Sequence, residues 1–184
     1  MTAHDRGQPL DTTMGFSPLE GLVMATRSGD VDAAIVPFLA SRRGVTADRI
    51  VEILNRESGL LGVSGRSSDL RVLLAEASPE AQLAVDLYCY RARKYIGAFL
   101  AVLGGCDGLV FGGGVGEHMP QIRERILASL GWAGIKLDPT ANADARGEDA
   151  RISAAESRVH VHVIAVDEEH VLATAALGCM QTSA

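Results

Sequence analysis

A chain of 184 residues, 47% of them apolar and 22% charged, has the material for one ordinary domain with a sizeable core, which excludes a globally disordered protein. Its formal charge of −6 and its 4% of aromatic residues argue against nucleic-acid partners, which call for basic surfaces along a phosphate backbone and stacking rings for single strands. Three cysteines, far apart and without a CxxC pair, exclude a disulfide framework or zinc knuckle and make a reducing cytoplasm the expected home. Residues 1–8 lack a basic stretch followed by an apolar run, so no secretory signal is expected. The apolar stretch from Ile96 to Val115 is broken by Gly104-Gly105-Cys106-Asp107-Gly108 and is not a membrane span.

In chain order, residues 1–13 are short and polar, with the turn Asp5-Arg6-Gly7-Gln8-Pro9. They read as the end of a β-hairpin whose first strand is missing. Asp32–Ala40 and Thr46–Asn55 read as helices separated by Arg42-Arg43-Gly44, the second capped by Thr46. Ser58–Ser68 is rich in glycine and serine and reads as a loop, with Ser68 capping a helix that opens at Asp69. A long helix runs from Pro79 to about Leu103, with Ser78 as N-cap and Pro79 at the first helical position, where its missing N–H costs nothing. Its apolar side is expected to include Leu83, Leu87, Tyr88, Tyr95, Phe99 and Val102. Gly108–Phe111 reads as a buried strand feeding a glycine loop. A helix then starts near Pro120, with Ile122, Ile126, Leu127 and Leu130 on its apolar face and Arg123 and Glu124 on the other. Residues 138–156 read as a loop, Val159–Val166 as a strand and Glu168 to about Leu177 as a helix capped by Asp167. Helices and strands alternate, so the fold class is α/β, one domain without a linker.

The chemistry concentrates in glycine-bearing turns. Gly112-Gly113-Gly114-Val115-Gly116-Glu117 lies between a strand and a helix, a place where backbone N–H groups can approach a nucleotide. It matches neither GxGxxG, because Glu117 holds the last required position, nor the P-loop, because no lysine follows. A ligand loop and a tight turn both remain open from pattern alone. A negative Glu117 beside a phosphate would be unfavourable, so a ligand loop here would face the nucleoside end. Arg27, in the irregular turn Thr26-Arg27-Ser28-Gly29, suits either bidentate phosphate contact or a surface pair with Asp30 or Asp32. Asp167-Glu168-Glu169 offers hard oxygen ligands for Mg2+, or simply acidic residues that favour a helix start.

Taken together, these segments resemble the acetate kinases, carboxylate kinases of the actin-like superfamily that also contains the sugar kinases. The resemblance rests on Asp11–Asp30 with its Ala25-Thr26-Arg27-Ser28-Gly29-Asp30 ending, Ser58–Arg71, Tyr90–Phe99, Val110–Glu117 and Asp167–Glu169, which follow one another in the family's order. It implies an actin-like, ribonuclease H-like lobe: the C-terminal nucleotide-binding and dimerising domain of a two-lobed kinase. By the same resemblance Arg27 steadies the transferring phosphoryl group and Asp69, Leu70 and Arg71 hold the adenine and ribose. Gly114, Val115, Gly116, Glu117 and His118 form the second nucleotide loop, and Glu168 is the Mg2+-associated glutamate. ATP/ADP, a short-chain carboxylate (acetate first) and a second copy of the chain are the implied partners.

The sequence also departs from the family, which usually has Gly at Ala25, Thr at Gly112, Asn at His118 and Thr-Asn at Val166-Asp167. The resemblance covers only the family's second half. The lobe carrying its acetate pocket, catalytic aspartate, another arginine and transition-state histidine has no counterpart in these residues, nor has its His-Leu-Gly-Asn-Gly phosphate turn. The expectation is therefore an ATP:acetate phosphotransferase lobe that is inactive alone. The alternatives are one subunit of a split carboxylate kinase, its other lobe a separate chain, or a non-catalytic nucleotide-binding scaffold.

Overall fold

Arg6 and Gly7 both take positive φ, 49° and 79°, as a two-residue type I′ turn requires. The turn folds the first residues into an antiparallel hairpin of β1 (Thr2–Asp5) and β2 (Gln8–Thr12), with Thr2 opposite Thr12. The first strand, expected to be missing, is Thr2–Asp5 itself. It is too short and polar for alternation to reveal it, and turn geometry forms it instead. The computed structural model of the chain describes residues 1–182, without the side chains of Glu168, Gln181 and Thr182. The chain divides into two units, Met1–Gly105 and Cys106–Ala184.

In the first unit, α1 (Ile35–Arg43) and α2 (Ala47–Arg56) form the expected helix pair, and Thr46 Oγ1 caps α2 by accepting the Arg49 N–H at 3.2 Å. The Gly/Ser segment expected as a loop contains a short helix, α3 (Gly59–Ser64). Gly59 makes this possible. At φ 61° it lies in the left-handed region, and a Cβ there would sit 2.7 Å from the Arg27 carbonyl oxygen. The first N–H groups of α3 are taken by a distant strand of chain, Leu60 N–H donating to Met24 O at 2.9 Å and Leu61 N–H to Ala25 O at 3.0 Å.

The next helix, α4 (Leu70–Ala75), is capped by Asp69 and not by Ser68, because the Asp69 carboxylate accepts the Arg71 N–H at 2.8 Å. Helix α5 (Pro79–Leu103) has the expected bounds. Ser78 Oγ accepts the Ala81 N–H, and left-handed Gly104 ends the helix. Its buried face is narrower than expected: Ala81, Ala84, Val85, Cys89, Ala92, Ile96 and Phe99 are buried, whereas Leu83 and Val102 are exposed. Helices α3 and α4 pack against α5, whose buried face mixes the small Ala81, Ala84 and Ala92 with the larger Val85, Ile96 and Phe99.

Asp30 ties the irregular Met14–Asp30 segment to α5. One carboxylate oxygen accepts the Gly21 N–H at 2.8 Å; the other accepts the Tyr95 hydroxyl at 2.7 Å and lies 3.5 Å from the Arg91 guanidinium.

The second unit is built on β3 (Gly108–Phe111), which runs parallel to β5 (His160–Val163), with β4 (Ala150–Arg151) antiparallel on the far side of β5. Contrary to expectation β3 is not buried, its residues being exposed or half-buried because it has a strand neighbour on one side only, and β5 is shorter than expected, ending at Val163. Val161 and Val163 are fully buried while His160 and His162 share the wetter face, as the alternation implies. Around the sheet lie α6 (Gly113–His118), α7 (Pro120–Leu127) and α8 (Pro139–Asp144). Helix α8 and strand β4 replace the loop expected over 138–156. Asp138 starts α8 by accepting the Thr140 and Ala141 N–H groups. The last helix, α9 (Glu168–Thr182), is capped by Asp167, which accepts the His170 N–H at 2.8 Å. Among the described residues no helix is long and apolar enough to cross a membrane.

Burial, and then the hydrogen bond to Asp30, push the Tyr95 phenol up to about 12. The native state therefore favours neutral tyrosine. The stability this lends is complete below pH 10, the ordinary phenol value, and is lost as the pH rises toward 12. Burial raises the Tyr88 phenol as well, so spectrophotometric titration of the tyrosines should resolve a late component to which Tyr95 contributes. Asp30→Ala should move that titration down, and an unchanged curve would remove Asp30 as the partner of Tyr95.

Candidate functional site

Arg27 sits in a turn stitched to the corner between α2 and α3. Ser28 N–H donates to Leu54 O at 2.9 Å, Ser58 N–H to Thr26 O at 3.0 Å, and Thr26 Oγ1 to Asn55 O at 3.0 Å. The surface pairs weighed for Arg27 are absent among the described residues. Asp30 is occupied by Gly21, Arg91 and Tyr95, and Asp32 accepts the Ala34 N–H. The Arg27 guanidinium makes a 3.9 Å contact with Met24 Sδ and borders a hollow of about 560 Å³, shared with Thr26, Asp48, Glu52, Asn55 and Arg56. Among the described residues no carboxylate is paired with this guanidinium, and Glu52 across the hollow is taken by Arg49, so Arg27 is free to receive an anion.

Asp69 and Arg71 form a closed fork at the start of α4. Arg71 Nε and Nη2 reach the two carboxylate oxygens at 3.0 and 2.6 Å. These hydrogen bonds hold the Asp69 carboxyl down at about 2, so it stays ionised at every ordinary pH. Leu70 is buried, which leaves only its backbone able to face a ligand. Asp69 and Arg71 border a second hollow with Val72, Ala75 and Glu76, separate from the one at Arg27.

Gly114, Val115, Gly116, Glu117 and His118, expected as a loop, instead form most of the short helix α6 in the second unit, with Gly116 and Glu117 buried. Gly114 is exposed, and a Cβ there would meet nothing within 4 Å. Glu117 is turned inward, only 8% exposed. Its Oε1 accepts the Gly113 N–H at 2.7 Å and the Val166 N–H at 3.1 Å. This brings the loop after β3 against the segment that follows β5, just ahead of Asp167 and Glu168. Glu168 opens α9, and its side chain lies outside the described residues. His118 is exposed, with Nε2 4.0 Å from Glu117 Oε2.

One residue that organises this unit was assigned to the wrong face. Arg123, expected on the polar side of its helix, is fully buried. All five of its N–H donors are satisfied: Nε by Asn142 Oδ1, Nη1 by the Gly116 and Glu117 carbonyls, and Nη2 by the Asn142 and Ala145 carbonyls, at 2.6–2.9 Å. The helical wheel carried the signal. At about 100° per residue, Ile122, Ile126 and Leu127 fall at about 0°, 40° and 140°, and Arg123 at about 100° lies between them.

Two departures from the family pattern also meet here. A Cβ at Gly112 would stand 2.8 Å from Val166 Cγ2, a branch of a side chain stiff at χ1. Gly112→Thr should therefore destabilise this unit by about 1–3 kcal/mol through overpacking. Combining it with Val166→Ala should recover much of that loss in chemical denaturation. A neutral single substitution would show that Val166 moves freely.

The match to known proteins runs nearly end to end. The model of the "Acetokinase family" covers residues 1–174. The acetate kinase of Solibacter usitatus is 46% identical over 97% of this chain and 44% of its own length. Among solved structures, the acetate kinase of Porphyromonas gingivalis superposes with a TM-score of 0.91 at 42% identity, over 97% of this chain and 46% of that one. A propionate kinase from Francisella tularensis superposes with a TM-score of 0.84 at 34% identity, over 91% and 43%. The chain thus spans less than half the length of the curated relatives it matches, and its fold is the α/β, actin-like lobe of these enzymes. With that length of match in both sequence and fold, the chain belongs to the acetokinase family.

Proposed function

We propose that the chain is the nucleotide-binding lobe of an ATP-dependent carboxylate kinase whose acceptor is acetate. The observation that carries the reading is the pair of parallel neighbours β3 and β5. Their C-terminal ends bear the Gly112–His118 loop and the Val166–Glu168 junction, joined through Glu117. Ligands of open α/β sheets bind outside the carboxyl ends of such strands. Acetate is preferred to propionate as acceptor because the acetate kinases compared are 46% and 42% identical to this chain and the propionate kinase 34%.

In this reading the exposed Gly114 and His118, with Val115 between them half-buried, receive the nucleoside, and the buried Gly116 and Glu117 support them from behind. Asp69, Leu70 and Arg71 hold base and ribose, and Arg27 steadies the phosphoryl group undergoing transfer. The residues after Val166 offer carboxylate oxygens, with Asp167 and Glu169 both exposed, and these are the hard donors that Mg2+ takes. Glu168 is the residue that would hold the ion, which supplies charge neutralisation on the nucleotide phosphates.

Calorimetric titration with ATP and with adenosine tests the reading. Gly114→Val adds bulk into open space and should leave the unfolding transition within about 0.5 kcal/mol while weakening both ligands. Arg27→Gln should weaken ATP roughly 10- to 100-fold and spare adenosine, as the loss of charge-assisted hydrogen bonds predicts. Absence of binding by either ligand to the unsubstituted chain would reject the proposal.

The proposal includes a homodimer formed by the helical first unit. Leu83 and Tyr90 are exposed and lie seven residues apart, hence on one face of α5. Sedimentation equilibrium at micromolar concentration should give twice the chain mass, and Leu83→Asp with Tyr90→Asp should halve it. A single-chain mass for the unsubstituted protein would remove the dimer.

A further inference from the structure

Glu117 belongs to the loop proposed to receive the nucleoside, yet its side chain does not face that way. It is 8% exposed, and one carboxylate oxygen accepts two backbone N–H groups from opposite sides of a gap. One is Gly113, the first residue of α6 after β3; the other is Val166, beyond the end of β5. Neither donor is part of the β3–β5 ladder, whose last link is the Ile164 N–H to the Phe111 carbonyl at 2.9 Å. Past that link Gly112 still touches the Val166 side chain, and the carboxylate adds the hydrogen bonds that join the two segments. The backbone of Glu117 is itself held from behind, because the buried Arg123 guanidinium donates to the Gly116 and Glu117 carbonyls at 2.7 and 2.9 Å. Gly113 adopts φ 70°, a conformation that turns its N–H back toward Glu117.

We propose that Glu117 is a positioning residue. On the reading that this loop receives the nucleoside, it contacts no ligand and instead fixes the loop after β3 at a set separation from the Val166–Glu168 segment, so that the two halves of the nucleotide site are preorganised. A carboxylate suits this task because one oxygen can accept two N–H donors at once, and charge-assisted hydrogen bonds are the stronger kind. An aspartate in place of Glu117 would fall short by one methylene, and alanine would leave both N–H groups to be met by water.

Backbone amide exchange by NMR, together with adenosine titration, tests the lock in three variants. Glu117→Ala should raise the exchange rates of Gly113 and Val166 selectively and weaken adenosine by about tenfold or more, the scale of losing one or two charge-assisted hydrogen bonds. Glu117→Gln keeps an oxygen able to accept both donors and should restore most of the protection and most of the affinity. Ile126→Val, a core truncation in the same unit, controls for plain loss of stability and should change neither. If Glu117→Ala leaves both amides protected, there is no lock. If it frees the amides while adenosine binds as before, the lock exists but does not serve the ligand, and the proposal falls. If the unsubstituted chain binds no adenosine, the nucleotide reading itself fails, and the amide exchange still reports separately on whether Glu117 bridges the two segments.

Discussion

A guanidinium with no exposed surface persists only where each of its N–H donors meets an oxygen, because an unmet buried donor costs about 1–3 kcal/mol and a charged one more. Arg123 meets that demand with four main-chain carbonyls and one side-chain amide, and with no carboxylate. Burial lowers its pKa from the ordinary value, but a guanidinium remains protonated throughout the range in which proteins fold. The carbonyls it gathers come from the end of α6 and from the end of α8, so satisfying one charge fixes where two short helices stop. Asn142 adds to this from the other direction, its Nδ2 donating to the Pro120 carbonyl at 3.0 Å. The six-residue helices have little intrinsic stability, and the buried cation supplies what their length cannot.

The first unit solves a similar problem with an anion. Met14–Asp30 has no regular structure of its own, and its polar backbone groups are met by neighbours: Gly21 by Asp30, Thr26 by Ser58, Ser28 by Leu54, and Met24 and Ala25 by the first turn of α3. Asp30 then anchors the segment to α5 through Tyr95 and Arg91. Because its carboxylate is committed there, it is not available to neutralise Arg27. The electrostatic character of Arg27 thus follows from a contact several residues away.

The departures from the family pattern are not scattered. Gly112 and Val166 touch, and Val166 also donates the N–H that Glu117 accepts. His118, the third departure, lies beside Glu117 and against Gly147, where a Cβ would overlap the imidazole ring. Three of the altered positions therefore surround one carboxylate. Ala25, in the first unit, gives its carbonyl to the Leu61 N–H, a backbone contact that an added methyl need not disturb.

Much of the fold was legible because its signals are local. Ser78, Pro79 and Gly104 mark both ends of α5, since a cap hydroxyl, a missing N–H and a left-handed glycine act within one turn of the chain. The position of the strand Gly108–Phe111 and the alternation around Val161 were equally plain, though not the exposure of the strand or the short helix that its glycines form, and the order of the motifs carried the family resemblance. What the sequence could not decide was where polar side chains point. Asp69 capping α4, Glu117 turning inward to two N–H groups and Arg123 passing into the core each depend on partners that local patterning leaves open. For Glu117 and Arg123 those partners lie as many as 49 and 22 residues away. The hairpin strand Thr2–Asp5 and the helix Gly59–Ser64 belong with them, since neither has the length or pattern to form alone and each exists because distant or turn-imposed hydrogen bonds complete it. Apolar periodicity shows which face of an element seeks the core, but a buried charge is placed by its acceptors, and only the tertiary fold brings acceptors from separate segments to one point.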